Sequence, residues 1–128
     1  MPPNRGTIIE WQLGELLELP VHQINAYRAT ESEPAFQVYL AETSDTEWIF
    51  RRNPVVRMPI SRVGFYPLWG LPYLAPEIVL LFKAKHLEPR DRIDFDNTLP
   101  LLSIDARRWL RDAIEKTHPG HEWLNALK

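Results

Sequence analysis

The pattern of apolar and polar positions changes its period along this chain. Residues 1–73 carry short alternating runs separated by turn residues. In Phe36-Gln37-Val38-Tyr39-Leu40, the residues Phe36, Val38 and Leu40 share one face and Gln37 and Tyr39 the other, which predicts a strand. Thr43-Ser44-Asp45-Thr46 is turn-rich, and Glu47-Trp48-Ile49-Phe50-Arg51 reads as the returning strand of a hairpin that Asn53-Pro54 ends. Residues 21–28, 55–58 and 62–66 are further strand candidates, and 31–34 is a loop.

Residues 74–128 read as helices. Pro76 suits a first helical turn, where its missing N–H costs nothing, and Glu77 complements the helix dipole. The run Ile78-Val79-Leu80-Leu81-Phe82 is apolar nearly all round, which predicts a helix buried on most sides. Pro89 opens a second helix that carries Asp91, Asp94, Phe95 and Leu99 and stops near Pro100. Ser103 caps a third, in which Ala106, Trp109, Leu110, Ala113 and Ile114 form a core stripe. On its solvated side Arg108 with Asp112, Arg111 with Glu115 and Asp112 with Lys116 are i,i+4 pairs, each worth about 0.2–0.5 kcal/mol. His118-Pro119-Gly120-His121 is a turn, and 122–127 a last short helix. Strands first and helices after give an α+β class: a small mixed or antiparallel sheet from the N-terminal half, packed by C-terminal helices. The expected organisation is a single domain, 1–128, strand-rich over 1–73 and helical over 74–128.

Composition sharpens this picture. At 128 residues, 45% hydrophobic and 25% charged, the chain can build a core of its own, which excludes disorder and coiled coil. The absence of cysteine excludes disulfides, thiolate metal sites and cysteine nucleophiles. Twelve prolines break the chain into short elements and argue against a long-helix bundle. A net charge of −2 provides no field for nucleic acid or anionic lipid, and neither is expected as a partner. No secretory leader is visible and the longest apolar run is far too short to span a bilayer, so the default expectation is a soluble cytoplasmic protein.

Candidate chemistry is sparse. Lys83 and Lys85 stand about 200° apart around a helix axis, so they serve different faces. Each reads either as a phosphate contact or as a lysine that snorkels or pairs with an acid such as Asp91 or Asp94. Arg51-Arg52 ends a strand, where one arginine can clamp a phosphate and the alternative is a charged sheet edge. Asp91 and Asp94 share a helical face; they can hold a divalent cation or simply answer the helix dipole. His118 and His121 flank Pro-Gly and lack a third ligand for zinc, which favours a turn with polar ends. No serine sits in a nucleophile elbow and no glycine-rich phosphate loop is present.

The run Leu71-Pro72-Tyr73-Leu74-Ala75-Pro76-Glu77-Ile78-Val79-Leu80-Leu81-Phe82-Lys83-Ala84-Lys85 resembles the C-terminal part of bacterial nucleotidyltransferase-fold proteins related to the aminoglycoside and lincosamide nucleotidyltransferases. The likeness continues through Arg90-Asp91, Asp94-Phe95, Leu99-Pro100-Leu101-Leu102, Trp109-Leu110 and His118-Pro119-Gly120-His121-Glu122-Trp123-Leu124, and upstream through Trp48-Ile49-Phe50-Arg51-Arg52-Asn53-Pro54. It implies a partial nucleotidyltransferase fold and magnesium-dependent transfer of a nucleotide to a hydroxyl, with carboxylates holding the metal. The glycine-rich turn and paired acids of such enzymes have no counterpart: the first nineteen residues offer only Gly6, Gly14, Glu10, Glu15 and Glu18. For the family's third carboxylate the nearest positions are Gln37, which carries no charge, and Glu42, on the face of Phe36, Val38 and Leu40.

The resemblance therefore implies a truncated nucleotidyltransferase-like protein, inactive alone, that binds a nucleotide or small molecule through Arg51, Arg52, Lys83 or Lys85, with Glu42, Asp91 and Asp94 as candidate carboxylates. Magnesium enters only if that transfer chemistry holds. The alternatives are an active enzyme completed by another chain and a structural or interaction module. The absent half of the enzyme would leave apolar surface open, and Ile8, Ile9, Trp11, Leu13, Leu16 and Leu17 add more, so a homodimer with a large apolar interface is expected.

Overall fold

The computed structural model describes residues 9–10, 12–16, 18 and 21–128. The α+β class holds: short helices and small antiparallel sheets make up the chain. Where the sequence pointed to one domain, contacts divide the chain into two compact units, Met1–Glu42 and Thr43–Lys128. Among the described residues no helix is long and apolar enough to cross a membrane.

In the first unit, β1 (Gln23–Ala26) and β2 (Phe36–Tyr39) form an antiparallel hairpin with Ile24 opposite Val38. Gln37 donates to Asn25 Oδ1 across the ladder at 3.0 Å, and the Tyr39 hydroxyl donates to Gln37 Oε1 at 3.0 Å. This corrects the expected pairing of Phe36–Tyr39 with the strand after residue 46. The Thr43–Thr46 turn instead joins β3 (Glu42–Thr43) to β4 (Glu47–Ile49), because the Ser44 N–H donates to Glu47 O at 2.8 Å and the Ser44 hydroxyl accepts the Glu47 N–H at 3.0 Å. Of the apolar N-terminal residues, Ile9, Leu13 and Leu16 are exposed, while Ile8, Trp11 and Leu17, like Gly6, lie outside the described residues.

The second unit is built on alternation. β4 pairs with β5 (Arg57–Pro59), and the facing residues Trp48 and Met58 are both buried. Between them the chain makes a compact turn rather than a strand over Phe50-Arg51. Phe50 N–H bonds Val56 O at 3.0 Å, and Asn53 Oδ1 accepts the Val55 N–H at 3.2 Å. That Asn-Pro turn drops Phe50 and Val56 into the core and leaves Arg51 and Arg52 outside. A 3₁₀ turn over Ile60–Arg62 follows, then β6 (Gly64–Phe65), paired with β7 (Tyr73–Leu74).

Helix α1 (Pro76–Lys83) starts at its proline, as the sequence predicts. Ile78, Leu80 and Leu81 are buried, but Val79 and Phe82 are partly exposed, so burial covers one broad face rather than most sides. The helix ends at Lys83, leaving Lys85 just outside it. Helix α2 (Pro89–Thr98) opens with a capping box in which the Glu88 and Asp91 side chains satisfy each other's backbone N–H. Helix α3 (Ile104–Thr117) is capped by Ser103 Oγ, which accepts the Ala106 N–H at 3.0 Å. Of the three expected surface pairs on α3, Arg111 with Glu115 forms, at 3.4 Å. Trp109 Nε1 donates to Arg57 O at 2.8 Å and ties α3 to β5. The chain closes with a 3₁₀ turn over Glu122–Leu124, where Trp123 stacks on Phe95 with ring centres 4.2 Å apart.

Helix α1 places Ile78, Leu80 and Leu81 in the buried core of this unit. Leu81→Ala should lower unfolding stability by about 2–5 kcal/mol through lost burial and a residual cavity. Val79→Ala, on the open face of the same helix, should cost no more than about 1 kcal/mol. Urea denaturation of the two variants side by side checks the contrast.

Candidate functional site

The expected site residues do not converge on one place. Helix α1 runs into the start of α2, and this brings Lys83 between two acids. Its Nζ donates to Asp91 Oδ1 at 3.1 Å and to Asp94 Oδ2 at 3.0 Å. Asp91 is also bonded by the Glu88 N–H at 3.0 Å. Asp91 is buried, Lys83 half-buried and Asp94 more open. The Glu88 N–H first, and the Lys83 ammonium second, hold the Asp91 carboxyl below its ordinary range. The two carboxylates, Asp94 first, hold the Lys83 ammonium above its ordinary value. Of its two readings, Lys83 takes acid pairing.

This clasp decides the magnesium question for these acids. The Lys83 ammonium occupies the space between the Asp91 and Asp94 carboxylates, so they do not fit a divalent cation unless it is displaced. Among the described residues no three His, Asp or Glu side chains gather as a metal-binding group. Glu42 stands half-buried in β3 and lines neither of the two grooves described below.

Lys85 has the opposite surroundings. It lines an open groove of about 400 Å³ with Leu87, His118, Gly120, His121 and Glu122. The two histidines of that groove differ. His121 Nδ1 accepts the Trp123 N–H at 3.0 Å, so Nε2 carries the proton and donates to Ala84 O at 3.0 Å. Both its nitrogens serve the fold.

His118 has one nitrogen to spare. The Thr117 hydroxyl donates its only proton to Ala113 O at 2.8 Å. His118 Nδ1, 2.8 Å from the Thr117 hydroxyl oxygen, must therefore be the donor to it. In the neutral ring Nε2 is then a bare acceptor. Burial first, and then the positive surroundings of His121, Arg52, Lys85 and His86, hold the His118 imidazole below its ordinary value. A negative group beside this ring would oppose that shift and favour the protonated form.

Arg52 does not line the groove but adds to its field. Its guanidinium lies 5.5 Å from the Phe82 ring centre and 5.9 Å from that of Phe50, a cation–π arrangement that fixes the charge near the end of α1. Arg51 is exposed in the same turn and lines neither groove. The expectation that Arg51-Arg52 ends a strand is corrected, since both belong to a turn. Glu122, on the groove wall, is paired with Arg92 by two bonds of 3.1 and 3.4 Å.

A second groove of about 320 Å³ runs beside α1 and α2. Leu74, Pro76, Val79 and Leu80 form its apolar side, with Lys83 and Asp94 on its rim. Lys83 and Lys85 thus serve separate grooves, because the helix stops between them and the chain turns away before Lys85. Sequence reasoning passed over His118 as a turn residue. The signal was local: a threonine one residue before it, in the last turn of a helix, whose hydroxyl can donate to the carbonyl four residues back.

No known protein family, curated protein or solved structure matches this chain.

The clasp should show in the acid limb of stability. A depressed Asp91 contributes stability that is full above about pH 4 and falls away as pH drops through its folded value. Lys83, shifted upward, contributes across neutral pH and loses that contribution only above about pH 10.4. Asp91→Asn should therefore be less stable than the parent at pH 7 and show a flatter loss below about pH 4. Denaturant titrations at a series of pH values measure both.

Proposed function

We propose that this chain is a nucleotidyltransferase-like protein that binds a nucleotide or another phosphate-bearing small molecule in the Lys85–His118 groove and does not transfer a nucleotide itself. The observation that carries the reading is the meeting, in one groove of ordinary ligand size, of a lysine with no ion pair among the described residues and an imidazole whose Nε2 has no partner among them. Arg52 supplies further positive charge from its aromatic seat. A phosphate would accept from the Lys85 ammonium and from His118 once protonated. Asp91 and Asp94, two of the three candidate carboxylates, are tied to Lys83, which supports binding without transfer. A cytoplasmic setting, where nucleotides are available, accords with the cysteine-free composition.

Binding has a signed pH dependence. An anion beside His118 raises its pKa above the free value, so affinity should increase as pH falls through the bound-state pKa and level off below the free one. Titrating the chain with ATP, ADP and pyrophosphate, and following the imidazole resonances by NMR, tests this. The expected result is an upward His118 pKa shift on binding. Lys85→Ala should weaken binding about tenfold or more, and His118→Gln should remove the pH dependence. Unchanged affinity in both variants would overturn the groove as the site. Incubation with the four nucleoside triphosphates, magnesium and aminoglycoside or lincosamide acceptors should give no transferred nucleotide. Transfer abolished by mutating a single acid would favour an active enzyme instead.

A further inference from the structure

The most conspicuous surface of the second unit is unrelated to the anion groove. Residues 63–76 contain no charged side chain. They form the β6–β7 hairpin, in which Gly64 faces Leu74 and the Phe65 and Tyr73 rings stack at 5.1 Å. From its loop project Tyr66 at 80% exposure, Leu68 at 104%, Trp69 at 86% and Leu71 at 86%. Residues at the tip of a surface hairpin are ordinarily polar, because nothing compensates the hydration of apolar groups there.

The loop is also stiff. Pro67 and Pro72 fix two backbone angles, and Gly70, at φ +108°, closes the turn. A rigid apolar knob loses little conformational freedom on docking. At about 150–250 Å² for each aromatic side chain, and similar areas for the leucines, the exposed residues of the hairpin offer roughly 800 Å². That is the share each partner contributes to a stable interface.

A receptor for such a knob lies on the same unit. The second groove begins at the hairpin's own base, Leu74, and its apolar side is Pro76, Val79 and Leu80. Its volume, about 320 Å³, accommodates an indole. Asp94 on the rim offers a carboxylate that an indole N–H can reach as donor. We propose that two copies of this chain form a closed dimer by reciprocal docking, the Leu68-Trp69 tip of each entering the Leu74–Val79 groove of the other. Self-association suits an uncharged ribbon, which gains nothing from a charged partner. Anionic lipid fits worse, because the ribbon's sequence neighbours are one cation, Arg62, and one acid, Glu77. A two-fold arrangement pairs each knob with one groove and leaves none open.

Sedimentation equilibrium and light scattering on the full chain test this, with circular dichroism to confirm that each variant is folded. The parent should have twice the 15.0 kDa chain mass at about 100 μM. Trp69→Ala combined with Leu68→Asp should weaken the dimer about thirtyfold or more while leaving the helical signal intact. Val79→Arg, which fills the groove without touching the hairpin, should weaken it comparably. A monomeric parent at that concentration overturns the proposal. A dimer unaffected by the hairpin variant overturns it too. A dimer lost in the hairpin variant but kept in Val79→Arg overturns the reciprocal groove and indicates hairpin-on-hairpin packing. A monomer that co-sediments with phosphatidylcholine vesicles through Trp69 overturns it in favour of lipid.

Discussion

Helix α1 is eight residues long, and a peptide of that length does not hold a helix in water. Its existence depends on what it packs against, and much of the second unit is arranged to supply that. Its own Phe82 packs against the rings of Trp48 and Phe50, and Trp48 in turn against Trp109 of α3. Leu110 and Ile114 of α3 join Ile78, Leu80 and Leu81 in the buried core. Its last turn is tied to α2 through Lys83, and the Ala84 carbonyl beyond it accepts from His121. Apolar burial forms the helix, and polar bonds at its C-terminal end fix where it stops.

That division of labour also separates the two lysines. Lys83, within the helix, meets the acids of α2 and becomes part of the structure. Lys85, past the helix end, is turned toward the 118–122 segment and remains available. Two residues of offset thus place similar side chains in different electrostatic settings. The contrast between His118 and His121 has the same origin. One ring has both nitrogens committed to backbone groups, while the other spends only Nδ1 on a threonine.

The helical half was legible in the sequence because proline and serine act locally. Pro76, Pro89 and Ser103 mark helix starts by their own backbone and hydrogen-bonding limits. Pairing of Lys83 with Asp91 and Asp94 was legible too, since an ammonium on a buried helix must find an acid. Strand pairing was not. The partner of Phe36–Tyr39 lies upstream, at Gln23–Ala26, and nothing in the alternation of either run names its neighbour. The exposure of Trp69 and Leu71 escaped as well, because apolar composition is the same whether a residue is buried or projects from a hairpin. His118 was missed because its free nitrogen depends on where the Thr117 proton goes, which only helix geometry decides.

The last core side chain of the fold, Leu127, is buried one residue before Lys128. It sits in the same cluster as Trp123, Phe95 and Ile114. Whatever is joined after Lys128, whether an affinity tag or a following stretch of polypeptide, therefore begins where the chain has barely left the interior. A spacer of several flexible residues would let Leu127 keep its seat, whereas a bulky fusion attached directly would pull on the core cluster it belongs to.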